Sequence, residues 1–117
     1  MAEPGSIKTQ SVGVSASATE RAVQPKTIDA KAFNRAINKA TNQTDWNDHN
    51  GSIRTITKFF KYDDLTKKMD GIIATHEDLG HMPQNLMEER RKVMNDLYDR
   101  VERDYGKEIR KKVYNAL

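Results

Sequence analysis

A chain of 117 residues without cysteine is long enough for one compact domain, and it excludes disulfide frameworks, thiolate metal sites and cysteine nucleophiles. Hydrophobic residues make up 36% and charged residues 32%, against roughly 45–50% (glycine included) and 25% in an ordinary soluble domain, so the core must be small. The net charge of +3 is too modest to dictate a polyanionic partner unless the excess is clustered.

Residues 1–26 contain Ser, Thr, Gly and Pro but no aromatic residue, and their larger apolar side chains are confined to Met1, Ile7, Val12, Val14 and Val23. Such a segment buries too little surface to offset the roughly 1–2 kcal/mol per residue that ordering a backbone costs. It is expected to be a disordered tail ahead of a helical domain over 27–117.

From Thr27 onward, Ile28, Ala32, Phe33, Ala36, Ile37 and Ala40 recur at three- to four-residue steps, which predicts a first helix over 28–41 with Thr27 or Asp29 as cap. Short polar side chains at 41–44 compete for backbone hydrogen bonds and end it. The stretch DWNDHNG at 45–51 has turn composition and is expected to be a loop. Residues 52–62 combine β-branched and aromatic residues with a helical face of Ile53, Ile56 and Phe60. A strand there has no partner in the chain, so a helix starting at Ser52 is favoured.

Asp63 and Asp64 suit the first turn of a further helix carrying Leu65, Met69, Ile72, Ile73, His76 and Leu79 on one face, with Gly80 ending it. Pro83 then opens the strongest pattern in the chain, in which Leu86, Val93, Leu97 and Val101 share one band. Met87, Met94, Tyr98 and Tyr105 lie mostly beside that band. Extended to Leu117, the stripe drifts by about 140° at 100° per residue, so a bend or break is expected near Gly106. A strict heptad fails as well, because it places Arg90, Asp104 and Lys111 at seam positions. The predicted fold is all-α, a small bundle of three to four helices.

Charge is dispersed along the chain. Residues 1–26 hold three basic and two acidic residues, 27–82 eight of each, and 83–117 nine against seven. The one local excess is Lys107, Arg110, Lys111 and Lys112 against Glu108, which suits the negative end of a helix dipole.

Chemical motifs fail on spacing. His76 and His81 are five apart, which on a helix separates their side chains by about 140°, whereas a zinc-protease helix needs two histidines four apart. Aligning Gly51 with the invariant glycine of a calcium loop matches Asp48 and Asn50 but puts Trp46 and Thr57 where acidic ligands are required. The six glycines are scattered and form no phosphate cradle. No cofactor, metal or catalytic residue is expected, and an enzyme is the least favoured class.

The expected function is a non-enzymatic protein–protein interaction module that binds another protein, or a second copy of itself, through its C-terminal helices. Met87, Met94, Tyr98 and Tyr105 are the candidate contacts, because methionine adapts its shape and tyrosine combines apolar area with a hydroxyl. The alternative is a small basic nucleic-acid-binding protein using Lys58, Phe59, Phe60, Lys61, Tyr62, Lys67 and Lys68 together with the basic C-terminal turn. No apolar run reaches the roughly 18 residues of a membrane span and no signal peptide is evident, so the chain is expected in the cytoplasm or exported by a signal-peptide-independent route. A Ser-rich N-terminus joined to a small helical domain resembles, in layout, bacterial effectors exported through needle-type secretion systems and small phage or viral accessory proteins.

Overall fold

The computed structural model describes residues 26–41 and 45–117. The expected disordered tail lies outside these residues except at its end, where the Lys26 backbone N–H donates to the Asp104 carbonyl at 2.6 Å.

Every regular element among the described residues is a helix, as the periodicity predicts. There are five rather than three to four: α1 (Ala30–Ala40), α2 (Trp46–Phe59), α3 (Asp63–Leu79), α4 (Gln84–Tyr105) and α5 (Lys107–Ala116). Asp29 caps α1, its carboxylate accepting from the Lys31 and Ala32 backbone N–H groups at 3.1 and 3.2 Å. These donors have no partner within the helix, which is why a short acidic side chain fits there.

The expected loop at 45–51 is instead the first two turns of α2. Asp45 acts as its cap, accepting from the Asp48 N–H at 2.9 Å, and Ser52, expected as the cap, sits inside the helix and donates to the Asp48 carbonyl. Turn-favouring composition is overridden because Asn50 is fully buried and finds side-chain partners on other helices, so helical backbone at this point costs it no hydrogen bond. The expectation of a helix over 52–62 holds for residues 52–59.

The helix ends explain the topology. Beyond Phe60, Lys61 takes a positive φ of 62°, its N–H reaching the Lys58 carbonyl while the Tyr62 N–H reaches that of Thr57 at 3.0 Å, the paired bonds of a Schellman motif. Gly80 ends α3 in the left-handed region at φ 75°. Gly106, at φ 97° and ψ 171°, both terminates α4 and precedes α5, occupying a region open essentially to glycine alone.

Each helix packs on its neighbour in the chain, and α5 returns against α1, closing the ring. The core is drawn from all five: Phe33, Ala36 and Ala40 from α1, Ile53 and Ile56 from α2, Leu65, Met69 and Ile72 from α3, Leu86, Val93, Leu97 and Val101 from α4, and Val113 from α5. The band predicted on α4 is therefore the face that α4 buries.

Two of the three positive-φ positions, Lys61 and Gly106, predict stability changes of opposite sign. Lys61→Gly removes the steric cost of a left-handed L-residue and should stabilise by about 0.5–1 kcal/mol, whereas Gly106→Ala should destabilise by about 1–3 kcal/mol; urea unfolding of both variants checks the pair.

Candidate functional site

Two polar clusters sit at opposite ends of the bundle. Where α2 and α4 begin and α3 ends, the buried Arg90 donates from Nε to Asn50 Oδ1 at 2.7 Å and from Nη2 to His49 Nδ1. An arginine only donates, so both partners accept. This leaves the His49 hydrogen on Nε2, which donates to the Leu117 carbonyl at 2.7 Å, and leaves the Asn50 amide to donate to His76 Nδ1 at 3.2 Å. Burial lowers the Arg90 pKa, but the network supplies acceptors that water would otherwise provide. The cluster ties α2, α3 and α4 to one another and to Leu117, the residue after α5.

This network settles where two motif residues lie. His76 is buried within α3 and bonded to Asn50, whereas His81 is exposed beyond Gly80 with Nδ1 against the Leu79 carbonyl. Asp48 and Asn50, tested as calcium ligands, stand on a helix rather than on a loop. Among the described residues no group of three His, Cys, Asp or Glu converges.

At the other end, the Tyr62 hydroxyl donates to Asp104 Oδ2 at 2.8 Å, and Arg103 donates from Nε and Nη2 to the same carboxylate at 2.9 and 3.1 Å. The Arg103 guanidinium, helped by the Tyr62 hydroxyl against the opposing effect of burial, holds the Asp104 carboxyl down at about 2. Burial, with the Asp104 bond, pushes the Tyr62 phenol well above its ordinary value. Arg100 grips Asp64 with both Nη atoms at 2.7 Å and lies 5.6 Å from the centre of the Tyr62 ring.

The four candidate contact residues on α4 do not form an exposed patch in this fold. Tyr98 is only 7% exposed, edge-on to Tyr114 at 5.4 Å and covered by the Arg110 guanidinium at 6.0 Å. Met87, Met94 and Tyr105 are half-buried against the core. The break at Gly106 folds α5 over the flank of α4 that a straight helix would leave open, and this is what removes Tyr98 from the surface.

The aromatic residues of the 58–68 segment turn inward. Phe60 and Tyr62 are 5% and 8% exposed, Phe59 meets Phe33 at 5.9 Å, and Phe60 packs on Tyr105 at 4.9 Å. Lys58, Lys61, Lys67 and Lys68 remain outside, so the stretch presents lysines without the stacking rings that single-stranded nucleic acid uses.

A surface that the order of residues conceals appears instead between α1 and α5. A groove of about 360 Å³ opens between them, its floor formed by Phe33, Ile37 and Ala116 and its rim by Asn34, Thr41, Lys112 and Asn115. Helix α1 carries Lys31, Arg35 and Lys39 and no acid, and α5 carries Lys107, Arg110, Lys111 and Lys112 against Glu108; these seven cations are all exposed. The two helices together hold a net six positive charges, twice the net charge of the whole chain. The acidic counterpart is α3, with Asp63, Asp64, Asp70, Glu77 and Asp78 against Lys67 and Lys68.

No protein-family model matches the chain, and no curated protein or solved structure is significantly similar to it.

Truncating Tyr98 to Ala should cost about 3–5 kcal/mol, the range for a large buried ring, where an exposed contact residue would leave thermal stability nearly unchanged. Because the folded-state value of Asp104 lies near 2 against 3.8 for a free side chain, its stabilisation is complete above about pH 4 and is lost as pH falls toward 2; a pH series of melts should show this loss in the native chain and a flatter acid limb in Asp104→Asn.

Proposed function

We propose that the protein is a non-enzymatic interaction module that binds another protein through its last helix, α5, acting together with α1. The observation that carries this reading is the α1–α5 groove, a concave apolar floor of Phe33, Ile37 and Ala116 edged by exposed amides and a lysine. Its volume of about 360 Å³ falls at the lower end of the roughly 300–1,000 Å³ typical of ligand pockets. An apolar floor gives affinity and a polar rim gives orientation. The one hydroxyl on the rim, Thr41 Oγ1, is spent on the Ile37 carbonyl at 2.7 Å, so the groove offers shape and charge rather than a poised nucleophile. The proposal keeps the C-terminal part of the chain as the binding region but moves the surface from the α4 residues Met87, Met94, Tyr98 and Tyr105 to the opposite side of α5.

Photo-crosslinking residues placed singly at Asn34, Asn115 and Asn95 in the full chain test this assignment. All three positions are exposed, and Asn95 adjoins Met94 on α4. The same adduct at positions 34 and 115 and none at 95 is the expected pattern; adducts at 95 alone would return the interface to α4.

A further inference from the structure

The character of the groove narrows its occupant. We infer that it receives an acidic amphipathic helix of a partner protein, an inference that rests on the α1–α5 binding reading above. Three features lead there.

The first is charge. Asp29, just before α1, spends its carboxylate on capping that helix, and Glu108 lies one turn before Lys112 on α5. Against them stand Lys31, Arg35, Lys107, Lys111 and Lys112, all exposed. Arg110 is shared with Glu102 at 3.3 Å; the remaining field still favours a ligand carrying several carboxylates, chiefly by steering its approach and fixing its orientation.

The second is the floor. Phe33 and Ile37 of α1 and Ala116 of α5 give a polyanion nothing to bond with but suit apolar anchors. A phosphodiester strand would contact the lysines and leave this floor unused, and the exposed ring of α5, Tyr114 at 63%, packs against Tyr98 of α4 and is not part of the groove lining.

The third is geometry. A channel between two packed helices accepts a third helix through anchors at i, i+3 or i+4, and i+7. The described residues contain no sheet edge for strand addition. The chain itself is a poor source of the occupant: residues 1–25 carry two acids and two bases, and the acidic helix α3 already buries its apolar face of Leu65, Met69 and Ile72 in the core.

The test uses the full-length protein and a labelled peptide of about four helical turns, with leucines on one face and glutamates elsewhere, read by fluorescence anisotropy and by amide chemical-shift mapping. A comparator replaces each glutamate with lysine, and further arms use a DNA duplex of about 20 base pairs and the corresponding single strand. The acidic peptide should bind, shift the amides of Asn34, Ile37, Lys112 and Asn115, and lose roughly tenfold or more in affinity in the Lys31→Glu, Lys112→Glu double variant, whose circular dichroism should match that of the parent. Equal binding of the lysine peptide, tighter binding of either DNA, or shifts confined to α3 and α4 would overturn the inference. So would a concentration-dependent rise in mass by light scattering that the double variant abolishes, since the occupant would then be a second copy. If no peptide binds while crosslinks at Asn34 and Asn115 persist, the assigned chemistry fails and the groove reading survives; crosslinks at Asn95 alone would remove both.

Discussion

At Gly106 the backbone takes φ 97° and ψ 171°, a conformation that side-chain-bearing residues avoid, and the chain there passes from α4 directly into α5. Everything at the C-terminal end of the bundle follows from this reversal. It folds α5 back along α4, which covers Tyr98 with Tyr114 and Arg110 and buries Val113 in the common core. It also brings α5 against α1, helices separated in the chain by more than sixty residues. Without it, α1 would have one packed flank and the apolar stripe of α4 would run out into solvent.

The polar ends complement that reversal. Apolar packing is tolerant of sliding and rotation, whereas a buried donor must find its acceptor or pay the desolvation penalty. Arg90, joined to Asn50 and His49, fixes α4 against the beginning of α2, and Asp104, joined to Tyr62 and Arg103, fixes it against the cap of α3. Both residues occupy positions on the buried side of α4 where a coiled coil would require apolar side chains. Their presence is a local violation of the hydrophobic pattern that the bundle resolves by pairing. Removing one member of such a cluster strands its buried partner, which costs more than the intact contact contributes.

The proposed binding surface and the fold are linked through the same geometry. The α1–α5 groove exists because α5 returns against α1, with Phe33 and Ile37 as the floor on the α1 side. The cationic charge is gathered there by topology, while α3 on another part of the ring carries the acidic excess. The separation of sign gives the molecule an orientation toward a charged partner even though its net charge is small.

Local and periodic features were decided by the sequence alone. The 3.6-residue repeat of apolar side chains fixes helices for α1, α3 and α4, Asp29 and Gly80 mark ends through their backbone chemistry, and the drift of the stripe past Met94 requires the break that Gly106 makes. Composition misled at 45–51, where Asp, Asn and Gly favour a turn in isolation but are held helical because Asn50 gains Arg90 and His76 as partners from distant parts of the chain. Whether Tyr98 faced solvent or core was likewise settled by the direction in which α5 returned, which no pattern within α4 contains. Charge is the clearest case. Counted along the chain it is dispersed, since the three cations of α1 are cancelled by the acids of α3 in the same stretch; in the folded molecule those acids lie on another helix and the cations of α1 stand beside those of α5. Periodicity acts over a few residues and is written in the sequence, but the neighbours of a surface charge or a buried amide depend on how whole helices pack, and only the tertiary structure decides that.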